Sequence, residues 1–128
     1  PTTIVTGDLG LLHDVGGLAS LREVSTAVRI VVVDNDGGGI FHFLPQEKSI
    51  AADEFEALLG TPRGIDTAKA ATLFDLPHHR LESLDDLPNA LAAGTGLIEV
   101  KTDRQTNVTV HQQLTQRVQA SLADLPER

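Results

Sequence analysis

The chain has 128 residues, of which 41% are apolar, with no cysteine and a formal net charge of −8. This length fits one domain with its own core, and the absence of cysteine excludes disulfides, thiol nucleophiles and cysteine-based zinc sites. An acidic chain poor in aromatic residues is unsuited to the nucleic acid backbone, so we expect no nucleic acid partner. No apolar run approaches the roughly 18 residues of a membrane span, and no signal peptide pattern opens the sequence. These features favour a cytoplasmic protein.

The first third of the chain predicts a strand, a helix and a second strand. We expect the strands near residues 3–6 and 28–33, and the helix over about residues 13–24. Apolar residues at three- and four-residue steps define the helix, namely Leu11, Leu12, Val15, Leu18, Leu21 and Val24. Because the first strand lies so close to Pro1, we expect a fragment of a longer protein in which that strand is interior to a larger sheet.

The rest of the chain continues the alternation of helices and strands. Pro45 breaks the pattern, and a mobile connection is predicted over residues 46–52. The further predicted elements are a short helix near 53–59, a helix from Asp66 or Thr67 to about Leu76, a strand over 77–81, a helix after Ser83 that Gly94 and Gly96 end, a strand over 97–101, and a helix from Thr106 or Asn107 through Val110, Leu114, Val118 and Leu122. The order β-α-β-α-α-β-α-β-α predicts an α/β fold, a parallel sheet with helices on both faces. Leucine and valine residues on the helices are interpreted as core.

Polar clusters follow the first two predicted strands. The branched residues 30–33 predict a buried strand, and Asp34, Asn35, Asp36 and three glycines come directly after it, whereas Gly7 and Asp8 follow the first strand. In a βαβ unit both strands end at one edge of the sheet, where open α/β sheets bind ligands. Carboxylate and amide oxygens suit a hard cation such as Mg²⁺.

These clusters carry a family resemblance. Gly7-Asp8, with Asp34-Asn35 one βαβ unit later, resembles the thiamine diphosphate motif. More narrowly, the chain resembles the 2-succinyl-5-enolpyruvyl-6-hydroxy-3-cyclohexene-1-carboxylate (SEPHCHC) synthase family of menaquinone biosynthesis. The similar segments span nearly the whole chain and comprise residues 7–9, 12–14, 35–41, 43–46, 55, 58–62 and 97–100.

The resemblance implies a cofactor site. Residues 1–128 are then the C-terminal part of a thiamine diphosphate-binding (diphosphate) domain, without the family's pyrimidine-binding and middle domains. By resemblance, Mg²⁺ or Mn²⁺ is held by Asp8, Asn35 and the Gly37 carbonyl. The amides of Leu9 and Gly10 bind the diphosphate. The full implied cofactor set is Gly7, Asp8, Leu9, Gly10, Asn35, Gly37, Gly38, Ile40 and Phe41, of which the last two line the pocket where cofactor and substrate meet.

The implied reaction is decarboxylation of 2-oxoglutarate and addition of the succinyl carbanion equivalent to isochorismate, with the cofactor as electron sink. The family's activating Glu lies on the pyrimidine domain of a partner subunit. The resemblance therefore assigns no catalytic residue to this chain, implies a homodimer or tetramer, and predicts that the fragment alone is inactive. The sequence departs from the motifs at Leu9, where the wider cofactor family has Gly, at Gly10, where we expect Ser, and at Asp34, which replaces Asn.

Two other functions fit part of the pattern. One is another thiamine diphosphate-dependent carboligase or decarboxylase. The other is a non-catalytic α/β domain that binds Mg²⁺ or an acyl phosphate as response regulators do, although Asp34 with Lys101 imitates that pattern poorly. Single residues also have plainer alternatives: a helix cap for Asp8, a left-handed turn residue for Asn35, and core packing for Ile40 and Phe41.

The remaining acids and the histidines are given smaller roles. Asp34 and Asp36 are interpreted as solvated or hydrogen-bonded loop acids. His78 and His79 point to opposite faces of a strand, which favours a surface or edge position for both. His13 either helps order the site or packs at a helix start, and His111 has no assigned role.

Overall fold

The computed structural model describes residues 1–123, and these form a four-stranded, all-parallel sheet with helices on both faces. The strands are β1 (Thr2–Gly7), β2 (Val28–Asp34), β3 (His78–Arg80) and β4 (Gly96–Lys101). The α-helices are α1 (Asp8–His13), α2 (Ala52–Phe55), α3 (Thr67–Leu73), α4 (Leu87–Ala92) and α5 (Arg104–Ala123). The predicted fold class and the order of strands and helices are confirmed.

The strand order in the sheet is β1-β2-β4-β3, so that β2 and β4 are central. Side chains alternate across a strand, and β2 accordingly divides its apolar residues between two clusters. One face carries a core of Leu11, Leu18, Ile30, Val32, Ala71 and Leu97, covered by α1, the segment after it and α3. The other carries Val31, Ala90 and Ile98, covered by α4. Both faces are therefore packed, as a parallel sheet requires.

The predicted helix over 13–24 is wrong in its bounds. α1 begins directly after β1 at Asp8, and a 3₁₀ helix follows over Val15–Arg22. Gly16 and Gly17 lie in this stretch, and glycine is a poor α-helix former. The Gly17 amide instead donates to the Asp14 carbonyl at 2.9 Å. The tighter helix still buries Leu18, because three-residue steps also return to one face.

Several boundaries also differ from the predicted ones. Part of the predicted mobile connection is a 3₁₀ helix over Pro45–Lys48, and α2 continues into a π-helical turn over Glu56–Gly60. Gly96 begins β4 and lies beyond α4, which ends at Ala92. Asp66 caps α3 by accepting from the Lys69 amide, as predicted.

α5 differs most from the prediction. It begins at Arg104, two residues early, because the Asp103 carboxylate accepts a hydrogen bond from the Thr106 amide at 2.7 Å. None of its residues is buried. Its predicted core positions are 44–58% exposed, namely Val110, Leu114, Val118 and Leu122. None of the helices within residues 1–123 is long and apolar enough to cross a membrane.

Candidate metal and diphosphate site

β1 and β2 bring the two polar clusters together. The strands pair in parallel, with Gly7 opposite Val33, so their following residues meet at one edge. Asp8 is the first residue of α1 and only 2% exposed. It makes no side-chain cap bond, since Gly7 occupies the cap position. The helix-cap alternative for Asp8 is therefore wrong, and the carboxylate faces the end of β2.

The glycine loop, residues 35–39, closes over Asp8. The Gly37 amide donates to Asp8 Oδ2 at 2.8 Å, and the Gly38 amide donates to the Gly60 carbonyl at 2.7 Å. Gly37 has φ +130°, and a Cβ there would overlap the Gly60 carbonyl, so this position requires glycine. In this loop the non-glycine residue with a left-handed backbone is Asp36 (φ 55°) and not Asn35. The alternative role of Asn35 as a left-handed turn residue is therefore wrong.

Two buried oxygen groups at this edge are incompletely compensated, one in hydrogen bonding and the other in charge. Asn35 Oδ1 is buried and accepts no hydrogen bond from the described residues. Asp8 forms no ion pair with any Lys, Arg or His of the same residues. Burial, and then the charge of Asp34, raise the pKa of Asp8 above its ordinary value. Buried groups in this condition cost free energy, and a cation between them would remove that cost.

The donor set fits a hard divalent ion. Within residues 1–123 no three His, Cys, Asp or Glu side chains gather into a metal-binding group. A metal here therefore has to use the Asn35 amide oxygen and backbone carbonyls in addition to Asp8, and such all-oxygen sets suit Mg²⁺. The carbonyl of Gly37 belongs to the same loop and accepts a hydrogen bond from the Gly39 amide at 3.0 Å, which leaves one lone pair for a further partner.

Asp34 has its own cation. It is 2% exposed, Lys101 Nζ lies 2.5 Å from its Oδ2, and the Asp36 amide donates to its Oδ1. The hydrogen bond to Asp34 raises the pKa of Lys101. Asp36 accepts from the amides of Arg63 and Gly64. Both acids are hydrogen-bonded, as predicted, but Asp34 is not solvated, because it faces Lys101 across the β2–β4 register.

The start of α1 presents backbone donors at the same edge. The first amides of a helix have no partner within it, and here they belong to Asp8, Leu9 and Gly10. A Cβ at position 10 would overlap the Thr6 hydroxyl. Glycine at position 10, where we expect serine, therefore leaves the room that the Thr6 hydroxyl occupies.

Ile40 and Phe41 follow the glycine loop in a 3₁₀ helix over Gly39–Phe43. Ile40 is 74% exposed, so its alternative role as a core residue is wrong. Phe41 is half-buried, and its ring lies against Gly38. Phe41 therefore lies beside the glycine loop that carries Asn35 and Gly37, and Ile40 is free to contact a ligand or another chain.

The histidines lie away from this edge. His78 Nε2 lies 2.9 Å from Glu99 Oε2, and His79 is exposed, so both occupy the strand edge as predicted. His13 is exposed in the last turn of α1, so its alternative role of packing at a helix start is wrong. His111, given no role, packs edge-to-face on Phe43 at 5.3 Å.

The structure adds two residues that the sequence did not indicate. Arg104 Nη2 donates to Glu56 Oε2 at 2.9 Å, and both side chains lie against Gly60. The buried ring of His42 lies 3.5 Å from the other Glu56 oxygen. The two ends of this ion pair are 48 residues apart, a separation at which no periodic sequence pattern operates.

No family model matches the chain, but individual proteins do. A 2-succinyl-5-enolpyruvyl-6-hydroxy-3-cyclohexene-1-carboxylate synthase of Salinibacter ruber is 46% identical over 97% of the chain. The protein of the same name from Myxococcus xanthus is 43% identical over 96%, and that from Leuconostoc citreum is 42% identical over 87%. The chain spans 21%, 22% and 21% of these relatives' lengths, about a fifth in each case.

Proposed function

Because the chain belongs to the SEPHCHC synthase family over the stretch that it covers, we propose that it supplies the Mg²⁺ and diphosphate half of a thiamine diphosphate site. The observation that carries this proposal is a pair of buried oxygen groups after adjoining strands, namely Asp8, which has no ion-pair partner among the described residues, and Asn35 Oδ1, which accepts no hydrogen bond from them. Residues 1–128 are then the C-terminal part of a diphosphate-binding domain. The pyrimidine-binding and middle domains lie outside this sequence.

Each residue of the proposed site has a distinct task. Asp8, Asn35 and the Gly37 carbonyl hold the metal ion, which could be Mg²⁺ or Mn²⁺. The amides of Leu9 and Gly10 donate to the diphosphate. The full proposed contact set adds Gly7, Gly38, Ile40 and Phe41, of which the two glycines leave room for the cofactor and the two apolar side chains form a wall that excludes water.

The bound cofactor supplies an electron sink for decarboxylation of a 2-oxo acid and carbon–carbon bond formation. By family, we propose 2-oxoglutarate and isochorismate as the substrates and a cytoplasmic homo-oligomer as the working form. The activating Glu comes from a partner subunit in this family, so residues 1–128 are expected to show no turnover alone. Turnover by the purified 128-residue chain would contradict that assignment.

The response-regulator alternative fits the structure less well. Its phosphoacceptor would be Asp34, yet this carboxylate is 2% exposed and already bonded to Lys101. A phosphate donor has no approach to such a group. Another thiamine diphosphate-dependent carboligase uses the same half-site, and substrate assays on the complete protein separate it from the proposed synthase.

Calorimetry on the complete polypeptide that carries this sequence tests the half-site. We expect Asp8→Ala and Asn35→Ala each to abolish Mg²⁺-dependent binding of thiamine diphosphate while the far-UV circular dichroism stays unchanged. Asp53→Ala and Asn107→Ala are matched controls, because both side chains are exposed and neither residue belongs to the proposed contact set. Unchanged thiamine diphosphate affinity in both Asp8→Ala and Asn35→Ala would refute the proposal.

A further inference from the structure

The Arg104–Glu56 ion pair joins the start of α5 to the π-helical turn after α2. The Arg104 side chain is 16% exposed, and its Nη2 lies 2.9 Å from Glu56 Oε2. The other ion pairs include Arg22–Asp75, whose side chains are 59% and 74% exposed. A partly buried pair is screened less by solvent than an exposed one. Arg104 and Glu56 therefore hold a defined geometry.

This ion pair packs directly on Gly60. A Cβ at Gly60 would lie 2.6 Å from Glu56 Oε2 and 2.8 Å from Arg104 Nη1, so both charged groups occupy the space a side chain would need. Gly60 in turn accepts the hydrogen bond from the Gly38 amide. The position of its carbonyl, and with it the outer side of the glycine loop, thus depends on where the ion pair sits.

The aliphatic stem of Arg104 also lies near the glycine loop. A Cβ built at Gly39 would lie 3.6 Å from Arg104 Cγ and 2.5 Å from Asn35 Nδ2. The side chains of Arg104 and Asn35, whose Oδ1 has no hydrogen-bond partner, therefore both lie near Gly39.

We propose that Arg104 and Glu56 are positioning residues for the metal site, a role that rests on the function proposed above. Their ion pair fixes the position of Gly60, and the bond from the Gly38 amide to the Gly60 carbonyl then holds the glycine loop, which carries Asn35 and Gly37. Neither charged side chain touches the metal or the diphosphate. The bond from the Gly38 amide to the Gly60 carbonyl is one of several that hold the glycine loop, and it is the one that the ion pair supports.

The test measures Mg²⁺ affinity in the complete polypeptide, by calorimetric titration with MgCl₂ at fixed thiamine diphosphate. Arg104→Gln and Glu56→Gln are expected to weaken Mg²⁺ binding about tenfold, the scale of losses at residues that orient metal ligands. At saturating Mg²⁺ the kcat should recover. Arg104→Lys keeps the charge without the planar fork and should fall between. Arg22→Gln breaks an exposed ion pair of the same kind and should change nothing.

Three results would overturn the proposal. The first is an Arg104→Gln protein with a lowered melting temperature but normal Mg²⁺ affinity, and the second is a loss of kcat that saturating Mg²⁺ fails to restore. The third is an Arg22→Gln protein as weak in Mg²⁺ binding as Arg104→Gln. The Asp8→Ala variant separates the two proposals. If it also leaves Mg²⁺ affinity intact, the proposed function fails, whereas a loss confined to Asp8→Ala refutes only the positioning role.

Discussion

Replacing Gly37 with alanine puts a methyl group where the glycine loop meets Gly60. The backbone there has φ +130°, a conformation that L side chains rarely adopt. The new Cβ would overlap the Gly60 carbonyl oxygen and approach the Pro62 nitrogen at 3.3 Å. Both neighbours are backbone atoms, so the loop itself has to move. That movement pulls the Gly38 amide from its acceptor.

The cost can be estimated from these two effects. Backbone strain of this kind costs about 1–3 kcal/mol, and a lost hydrogen bond costs about 1 kcal/mol, so we expect Gly37→Ala to lower the free energy of unfolding by about 3 kcal/mol. Gly64 has φ +56° but open space around it, and Gly64→Ala should cost only about 1 kcal/mol. Gly16 has neither constraint, and alanine there should stabilise by about 0.5 kcal/mol.

Urea unfolding of the three variants, with Mg²⁺ titration in parallel, provides the measurement. The expected order of stability is Gly16→Ala above wild type, then Gly64→Ala, then Gly37→Ala. Only Gly37→Ala should also lose Mg²⁺ affinity, because only this substitution moves the loop. Equal losses of unfolding free energy for Gly37→Ala and Gly64→Ala would show that the close approach of Gly37 to Gly60 does not contribute, and would refute the prediction.

Two further predictions concern the buried charges. Because the pKa of Asp8 is raised in the folded protein, ionising this carboxyl lowers the free energy of unfolding as pH rises above the ordinary value of 3.8. Asp8→Asn should therefore stabilise the metal-free protein at neutral pH, and this gain should fade toward pH 3.8. Urea unfolding in EDTA at a series of pH values measures the gain. Lys101→Gln leaves Asp34 buried without a cation and should cost about 2 kcal/mol, less than a fully buried pair because Lys101 is 41% exposed. Adding Asp34→Asn should restore most of that loss, and a double variant as unstable as Lys101→Gln would refute the pairing.

The sequence predicted what chain topology alone determines. The branched run of β2 and the polar residues after it placed Asn35 at a strand end. A βαβ unit brings that end beside Asp8, whatever the details of the connecting helix. The error in the helix over 13–24 did not affect this result, since a connection of that length returns the chain to the same edge in either helical form.

Contacts between distant elements were not predictable. Arg104 and Glu56 meet because α5 crosses beside the π-helical turn, and neither residue carries a local signal. The pairing of Asp34 with Lys101 required the β2–β4 register, which hydrophobic patterns do not provide. The apolar stripe of α5 shows a complementary limit, because a period of four residues gives a face to the helix but does not say whether anything covers it.

The sheet order has a consequence for how the site assembles. One short crossover connection joins β1 to β2, so Asp8 and Gly37 come into contact with little loss of chain entropy. The ion pair with Glu56 needs Arg104, which follows the four strands described within residues 1–123 and leaves the ribosome after them. We therefore expect the loop to form early and loosely, and to become rigid only when the last helix docks.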